Sequence, residues 1–236
     1  ALGNIPLQQL TPSHIQTYYT DKLTSGRRDG NGGLSPRTVR HHHRLIHVAL
    51  ESAVKLQLVH RNVSDAVTAP KYRNKEMQTF NEEGMLAFLE SVKMTEYYPM
   101  FYTALFTGVR RSELLALRWS DIDLDLGYIS INRSIHHLED KSFVFQPPKT
   151  AKSRRQVPLS PSTCIVLRQH RDNQRAAKLL LGNPVTESSL VFCQLDGSPL
   201  LPRSVSQAWR RLVRQAGFPG IRLHDARHTH ATLMLE

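Results

Sequence analysis

The chain has 236 residues, which is long enough for one or two domains with a hydrophobic core. Its 31 Lys and Arg against 20 Asp and Glu give a formal charge of +11, which indicates a polyanionic partner; nucleic acid is the commonest, although an anionic membrane surface also attracts a basic protein. No apolar run approaches the roughly 20 residues that span a bilayer, and no charged and then apolar leader is present, so neither a membrane protein nor a secreted protein is expected.

Two helices are predicted in the first 69 residues. Thr11 as N-cap with Pro12 at the first helical position begins the first helix, and Ser35 with Pro36 begins a second, long one. Residues 25–33 between them are rich in glycine and polar residues and predict a loop. The apolar positions are Ile15, Tyr19 and Leu23 on the first helix, and Val39, Ile46, Leu50, Ala53 and Val54 on the second.

The positive charge is concentrated in this N-terminal part. Residues 1–75 hold 11 Lys or Arg against four acidic residues, whereas the remaining 161 residues hold 20 against 16. Arg37, Arg40 and Arg44 lie near one another on the long helix, which fits either a stripe that follows DNA phosphates or a solvated helix face. The histidines at 41–43 predict no metal site, because successive helical residues point about 100 degrees apart. A surface or DNA-facing role is expected for them.

Residues 70–79 lack periodicity and contain a helix-breaking proline, so they predict a linker between a helical domain at 1–69 and a second domain at 80–236. A long surface loop would have the same composition. In the second domain, Asn81 is expected to cap a helix. Further helices are predicted at about 97–106, 162–181, 205–216 after a break at Pro202, and from 224 to the end. Three strands at 128–132, 143–146 and 155–159 are expected to form one sheet, with 190–192 as a short strand or buried connection. The predicted fold class is mainly α with a small antiparallel β-sheet (α+β).

The stretch 107–123 carries a candidate phosphate site. Gly108 permits a tight turn or a close helix contact, and Glu113 follows Arg110 at a spacing that shares a helix face with Leu114 and Leu117. A guanidinium fork oriented by a carboxylate suits a phosphate. By itself, the same pair also fits an ordinary salt bridge.

A second basic block surrounds Lys149, which lies in a predicted turn with Lys152, Arg154 and Arg155. Such a run fits a solvated hairpin tip. It also fits a loop that enters a DNA groove, where an ammonium group near a phosphate is a useful proton donor.

The third block contains His224 and Arg227, three apart on a predicted helix and therefore on one side of it. His224 and His228, at spacing four, predict no zinc site, because the glutamate of the metalloprotease motif is absent between them and no later ligand follows. Histidine and arginine beside a phosphodiester supply hydrogen bonds, a proton-handling group and positive charge.

Taken in order, Arg110, Lys149 and the block from His224 to Arg227 resemble the tyrosine recombinase (phage integrase) family, over most of the chain. The resemblance implies a helical core-binding domain that lies across one side of DNA, followed by a catalytic domain. It implies that Arg110 and Arg227 grip the nonbridging oxygens of a scissile phosphate, with Glu113 in support. It assigns Lys149 the protonation of the leaving 5′ oxygen, with Lys152 as the alternative, and His224 a hydrogen bond or proton transfer. No metal or cofactor is expected. The residues expected to bind DNA are Arg37, Arg40, Arg44, Lys152, Arg154 and Arg155.

The chain departs from the family's pattern at its end. The family's remaining catalytic histidine or tryptophan and its nucleophilic tyrosine follow the His-x-x-Arg block by some tens of residues, whereas all seven tyrosines of this chain precede Lys149. We therefore expect no nucleophile within these residues, a helical domain incomplete at its N-terminus and a catalytic domain incomplete at its C-terminus. Such a chain is expected to bind DNA without cleaving it.

The favoured function is a site-specific recombinase of a phage or mobile element. Its expected partners are a double-stranded DNA attachment site and, in the full-length protein, further copies in a homotetramer on paired sites. The expected location is the bacterial cytoplasm at the nucleoid. Cys164 and Cys193 fit no disulfide framework and no metal spacing, so both are predicted to be buried side chains in a reducing compartment. Two alternatives remain: a non-catalytic DNA-binding regulator on the same scaffold, and a metal-independent phosphodiesterase that uses histidine.

Overall fold

The computed structural model describes residues 2–73, 77–147 and 154–234. The chain divides into two compact units, residues 1–76 and 77–236. Helices predominate among the described elements, and the strands form two small antiparallel sheets. The predicted class, mainly α with a small antiparallel component, is confirmed. No helix within the described ranges combines the length and the apolarity needed to cross a bilayer.

The first unit is built on two helices, α1 (Pro12–Ser25) and α2 (Pro36–Lys55). Both begin where predicted, because the hydroxyls of Thr11 and Ser35 accept hydrogen bonds from backbone N–H groups of the first turns, at 3.3 and 3.1 Å. One-turn 3-10 helices lie at Leu2–Asn4, Leu7–Gln9 and Val63–Ala66.

The core of the first unit centres on Ile15, Tyr19, Val39 and Leu50, all of which are buried. The prediction that Leu23 belongs to this face is wrong, because the buried positions of α1 end at Tyr19 and Leu23 is 37% exposed. The buried positions of α1 are therefore Ile15 and Tyr19.

The histidines of α2 differ in their surroundings. Tyr18 and Tyr19 hydrogen-bond the Nδ1 atoms of His42 and His43 at 3.0 and 2.9 Å, and burial raises the pKa of Tyr19 to about 12. Of the histidines at 41–43, only His41 is exposed. The expected surface role thus fits His41, whereas its two neighbours are half-buried against α1.

The second unit contains the other helices, and its core includes a cluster of aromatic rings. The ring centroid of Trp209 lies 5.0 Å from that of Phe88 and 4.8 Å from that of Phe101, both in edge-on geometry.

Pro202 is the first residue of a helix and not a break before it, because the first turn does not need the N–H that proline lacks. The helices are α3 (Glu82–Val92), α4 (Tyr98–Thr107), α5 (Arg111–Leu114), α6 (Pro161–Leu180), α7 (Pro202–Gln215) and α8 (Asp225–Leu233).

The strands of the second unit form two sheets, where one was predicted. They are β1 (Ile122–Asp123), β2 (Tyr128–Ile131), β3 (Ser134–His137), β4 (Phe143–Gln146) and β5 (Arg155–Pro158). The first sheet has the order β1-β2-β5, and β3 pairs with β4 in the second. The expectation that β4 pairs within one sheet with β2 and β5 is therefore wrong. The strand β3, which pairs with β4, does not alternate buried and exposed residues, since Ile135 is the only buried residue of β3.

The connection at 190–192 is buried, as one of the two predicted alternatives requires. Leu190 forms an isolated antiparallel bridge with Arg118, and Val191 is fully buried.

Both cysteines are free thiols. Cys164 is buried as predicted, whereas Cys193 is only partly buried, so the prediction of burial is wrong for Cys193.

Candidate active site

The site begins with the turn that ends α4. Gly108 adopts a left-handed conformation (φ +59°), and its N–H donates to the carbonyl of Ala104 at 3.0 Å. A Cβ at this position would lie 2.7 Å from Cδ2 of His230, in α8. Glycine is thus required both for the backbone conformation and for the close approach of α8.

Arg110 follows this turn as the residue before α5. The buried carboxylate of Glu113 accepts two hydrogen bonds from it, at 2.8 Å from the backbone N–H and at 2.9 Å from Nη1. The side chain of Glu113 is 7% exposed and that of Arg110 is 52% exposed. The carboxylate therefore holds one edge of the guanidinium, and about half of the arginine side chain remains open to a ligand.

The local helix is shorter than the sequence predicted. Because α5 ends at Leu114, the pairing of Arg110 with Glu113 is an N-terminal capping contact, and Leu117 lies beyond the helix. The expectation of one continuous helical face from Arg110 to Leu117 is wrong. The one-turn helix nevertheless brings the two charged side chains together as predicted.

A second arginine binds the same carboxylate. Arg155, at the start of β5, donates from Nη1 to Oε1 of Glu113 at 3.1 Å and from Nη2 to Oε2 at 2.7 Å. Burial favours the neutral acid, but the hydrogen bonds from Arg155 and then Arg110 outweigh it, so the pKa of Glu113 lies below its ordinary value. The carboxylate is thus held ionised between two guanidinium groups.

The contact of Arg155 with Glu113 is absent from the predictions made from the sequence, which place Arg155 in the basic turn before β5. The signal that was available is the period of two in the strand, since Arg155 and Val157 are both partly buried whereas Gln156 between them is exposed.

Arg227, the third residue of α8, completes the cluster. Its Nη1 donates to the carbonyl oxygen of Gly108 at 2.7 Å. Burial lowers the pKa of Arg227, and the nearby charges of Arg110 and Arg155 lower it further, while Glu113 opposes them. Three guanidinium groups therefore lie within electrostatic reach of one another around a single carboxylate, which leaves an excess of positive charge suited to an oxyanion.

The position of α8 is fixed by two buried polar groups. Thr229 accepts a hydrogen bond from the backbone N–H of Phe80 at 3.2 Å. Asp225 accepts three from Arg222, from its backbone N–H at 2.8 Å, Nε at 2.9 Å and Nη2 at 2.7 Å. Together these contacts hold both the start and the middle of the helix that carries Arg227.

His224 occupies the N-cap position immediately before α8 without a side-chain capping hydrogen bond, and it is exposed; Arg227 lies within the helix. Its ring is edge-on to that of His228, with centroids 5.3 Å apart. Across the described part of the chain, no group of three or more His, Cys, Asp or Glu residues could hold a metal ion.

The remaining candidate residues belong to other parts of the chain, and two of them fall outside the described residues. Lys149 and Lys152 lie outside the described residues, and Arg154 is exposed. In the first unit, the exposed Arg37, Arg40 and Arg44 line one cavity of about 320 Å³. The guanidinium groups of Arg37 and Arg40 lie 5.9 and 5.7 Å from the ring centroid of Tyr72, which also lines it.

The sequence of the chain also matches a family model. The profile described as "Phage integrase family" matches residues 75–236, which include the whole arginine cluster. The chain belongs to the phage integrase family.

Relatives within this family carry integrase and recombinase names. The chain is 31% identical over 172 residues to a "Tyrosine recombinase XerC-like" protein of Caldanaerobacter subterraneus subsp. tengcongensis, covering 68% of this chain and 44% of that protein. It is 29% identical over 205 residues to the ICEBs1 integrase of Bacillus subtilis, covering 86% of this chain and 55% of that protein. The chain thus spans about half the length of these curated relatives.

Solved structures of integrases share the fold. The Tn1549 transposon integrase in complex with transposon right end DNA superimposes with a TM-score of 0.79 at 18% identity, over 98% of this chain and 74% of that one. A lambda integrase dimer bound to a COC′ core site gives a TM-score of 0.66 at 16% identity, over 98% and 59%. A lambda integrase tetramer bound to a Holliday junction gives 0.63 at 18% identity, over 98% and 61%.

Proposed function

We propose that these residues belong to a site-specific DNA recombinase of a phage or mobile element, which cuts and rejoins DNA through a 3′-phosphotyrosyl intermediate. The observation that carries this proposal is the placement of two guanidinium groups side by side: Arg110 is held by the buried carboxylate of Glu113, and Arg227 is held by the carbonyl of Gly108, two residues before Arg110. Guanidinium groups fixed before the substrate arrives stabilise charge on a transition state without reorganising during the reaction. Family membership supports the reaction type.

In the proposed reaction, a tyrosine hydroxyl loses its proton and attacks the scissile phosphorus. The bond from phosphorus to the tyrosine oxygen forms as the bond to the 5′ oxygen breaks, and the 5′ oxygen leaves with a proton from Lys149. Arg110 and Arg227 stabilise the charge on the nonbridging oxygens, and His224 hydrogen-bonds the phosphate or takes up the proton that the tyrosine hydroxyl loses. The phosphotyrosyl bond preserves the energy of the phosphodiester, so that another strand's 5′ hydroxyl can reverse the step.

For the DNA complex, we propose that residues 1–69 act as a core-binding domain, 70–79 as the linker and 80–236 as part of the catalytic domain. The cavity lined by Arg37, Arg40 and Arg44 supports a phosphate contact in the first unit, because three exposed guanidinium groups lie together there. Lys152 and Arg154 would add contacts from the basic turn.

The proposed partner is a double-stranded attachment site, bound by a homotetramer of the full-length protein on paired sites in the bacterial cytoplasm, at the nucleoid. The dimer and tetramer arrangements of lambda integrase on DNA support this assembly by similarity of fold. The charge of +11 supports the nucleic-acid partner.

The test uses the full-length protein and a nicked duplex that carries the element's attachment core. A protein–DNA adduct that resists denaturant, and disappears when a tyrosine C-terminal to Arg227 is replaced by phenylalanine, is the expected result. The 236-residue chain by itself is expected to bind the duplex without an adduct. Tight binding by the full-length protein with no adduct would favour the regulator, and hydrolysis without a covalent intermediate would favour a phosphodiesterase.

A further inference from the structure

We propose that Arg155 is a positioning residue for the recombination reaction: it holds the Glu113 carboxylate in place, and through it sets the orientation of Arg110. This inference rests on the proposed function. It gives Arg155 a role distinct from the contact with DNA that its neighbours in the basic turn suggest.

The hydrogen bonds at Glu113 carry the inference. Arg155 contacts both carboxylate oxygens with its two terminal nitrogens, at 3.1 and 2.7 Å. Arg110 contacts the same two oxygens, one through its backbone N–H and one through Nη1. Since a bidentate pair fixes the plane of a carboxylate as well as its distance, Arg155 determines where the carboxylate can receive Arg110.

Burial makes this arrangement consequential. The Glu113 side chain is 7% exposed and that of Arg155 is 27% exposed, whereas that of Arg110 is 52% exposed. Arg155, the better-buried arginine, thus contacts the carboxylate from the protein interior, and Arg110, the more exposed one, faces solvent. Without Arg155, the buried carboxylate would lose two of the four hydrogen bonds that it accepts from the two arginines, and its plane would be fixed less firmly.

The two arginines also differ in their supports. Arg155 belongs to β5, whose register with β2 places it opposite Ile131, and the next inward pair is Val157 with Ile129. Ile129 and Ile131 are fully buried. Arg110, in contrast, precedes a helix of a single turn. The strand is therefore the rigid support from which the orientation of Arg110 is set.

The experiment compares variants of the full-length protein in single-turnover adduct formation on the nicked attachment duplex, measured against DNA concentration and pH. Arg155→Gln is expected to lower the maximal rate about 10- to 100-fold, as a small misplacement of a catalytic group does. The half-saturating DNA concentration should change less than about threefold, because the missing group is held by Glu113 and not by DNA. Arg155→Lys should restore only part of the rate, since an ammonium lacks the planar fork.

Two further readouts separate positioning from a loss of fold. Without Arg155, the pKa of Glu113 should rise, so the acid limb of the pH–rate profile should move to higher pH; an unstable variant would scale the profile without moving it. In a Glu113→Gln background, Arg155→Gln should have little additional effect, because the two residues act as one unit. Arg168→Gln is the matched control, since Arg168 is an ion-paired arginine of the same unit that contacts Asp125 on another face; its rate should equal that of the wild type.

The outcomes also separate this inference from the function on which it rests. An Arg155→Gln protein with a normal maximal rate and weakened DNA binding would overturn the positioning role and leave the recombinase intact. Independent, multiplying effects of Glu113→Gln and Arg155→Gln would overturn it as well. A wild-type protein that forms no adduct would overturn the function, and with it the inference.

Discussion

The guanidinium of Arg227 donates to the carbonyl oxygen of Gly108 at 2.7 Å, across 119 positions of the chain. This contact joins the turn before Arg110 to the helix that carries the second candidate arginine. The close approach depends on the absence of a side chain at Gly108, against which the ring of His230 packs. The geometry of the candidate site is therefore set by a backbone turn as much as by its charged groups.

Gly108→Ala should destabilise the second unit by about 2–4 kcal/mol, because it combines left-handed strain of about 1–2 kcal/mol with a clash. Urea unfolding followed by fluorescence measures the change. Gly182→Ala is the matched control, since Gly182 is also left-handed (φ +68°) but, among the described residues other than its chain neighbours, no heavy atom lies within 4 Å of the added Cβ; this variant should show the strain alone. Equal losses of stability in the two variants would contradict the packing of His230 on Gly108.

Glu113→Gln should destabilise the protein by about 3 kcal/mol at neutral pH, because it removes a buried charge from two arginines. The folded-state pKa of Glu113 lies below that of a free glutamate. The stabilisation is therefore complete above the unfolded pKa of about 4.3 and is lost as the pH falls through the folded value. Urea unfolding of both proteins between neutral and acidic pH should show the difference shrinking towards acid; a difference that grows towards acid would contradict an ionised Glu113.

Thr229→Val should cost about 1–3 kcal/mol, because it leaves the backbone N–H of Phe80 buried without its acceptor. Thr103→Val is a suitable comparison: Thr103 is equally buried, but its hydroxyl donates to the carbonyl of Pro99 in its own helix. Its destabilisation should be smaller, since that carbonyl already lies within a helix. A larger destabilisation by Thr103→Val in thermal or urea unfolding would show that Thr229 does not anchor α8.

These contacts also show which features the sequence could predict. Helix starts were predictable at Thr11, Ser35 and Asn81, because a capping side chain bonds backbone groups within three residues of itself. The pairing of β3 with β4 was not predictable, because Ile135 is the only buried residue of β3 and one buried residue gives no alternating pattern.

The site shows the same division between local and distant contacts. The pairing of Arg110 with Glu113 follows from their spacing of three, and it was predicted. The contacts of Arg155 with Glu113 and of Arg227 with Gly108 span 42 and 119 positions and depend on how β5 and α8 pack. Order and residue type indicated the family, whereas the shared carboxylate required the fold.

The salt dependence of DNA affinity in the first unit should reflect the number of its arginines that contact phosphates. Replacing Arg37, Arg40 or Arg44 with glutamine in the 236-residue chain should reduce the slope of log affinity against log salt by about 0.9 for each phosphate that the variant no longer neutralises. Fluorescence anisotropy on a duplex between about 50 and 200 mM salt measures the slope. Arg27→Gln is the control, because Asp29 already neutralises Arg27 at 2.8 Å. A triple variant with the wild-type slope would contradict a phosphate-binding cavity.

The measurement that tests the central claim most directly is the single-turnover rate of adduct formation at saturating DNA for full-length Arg110→Ala, with its DNA affinity measured alongside. If Arg110 stabilises charge that develops in the transition state, the rate should fall about 10²- to 10³-fold while the dissociation constant changes little. An unchanged rate with weaker binding would instead make Arg110 an ordinary DNA contact, and would contradict the active site described for this chain.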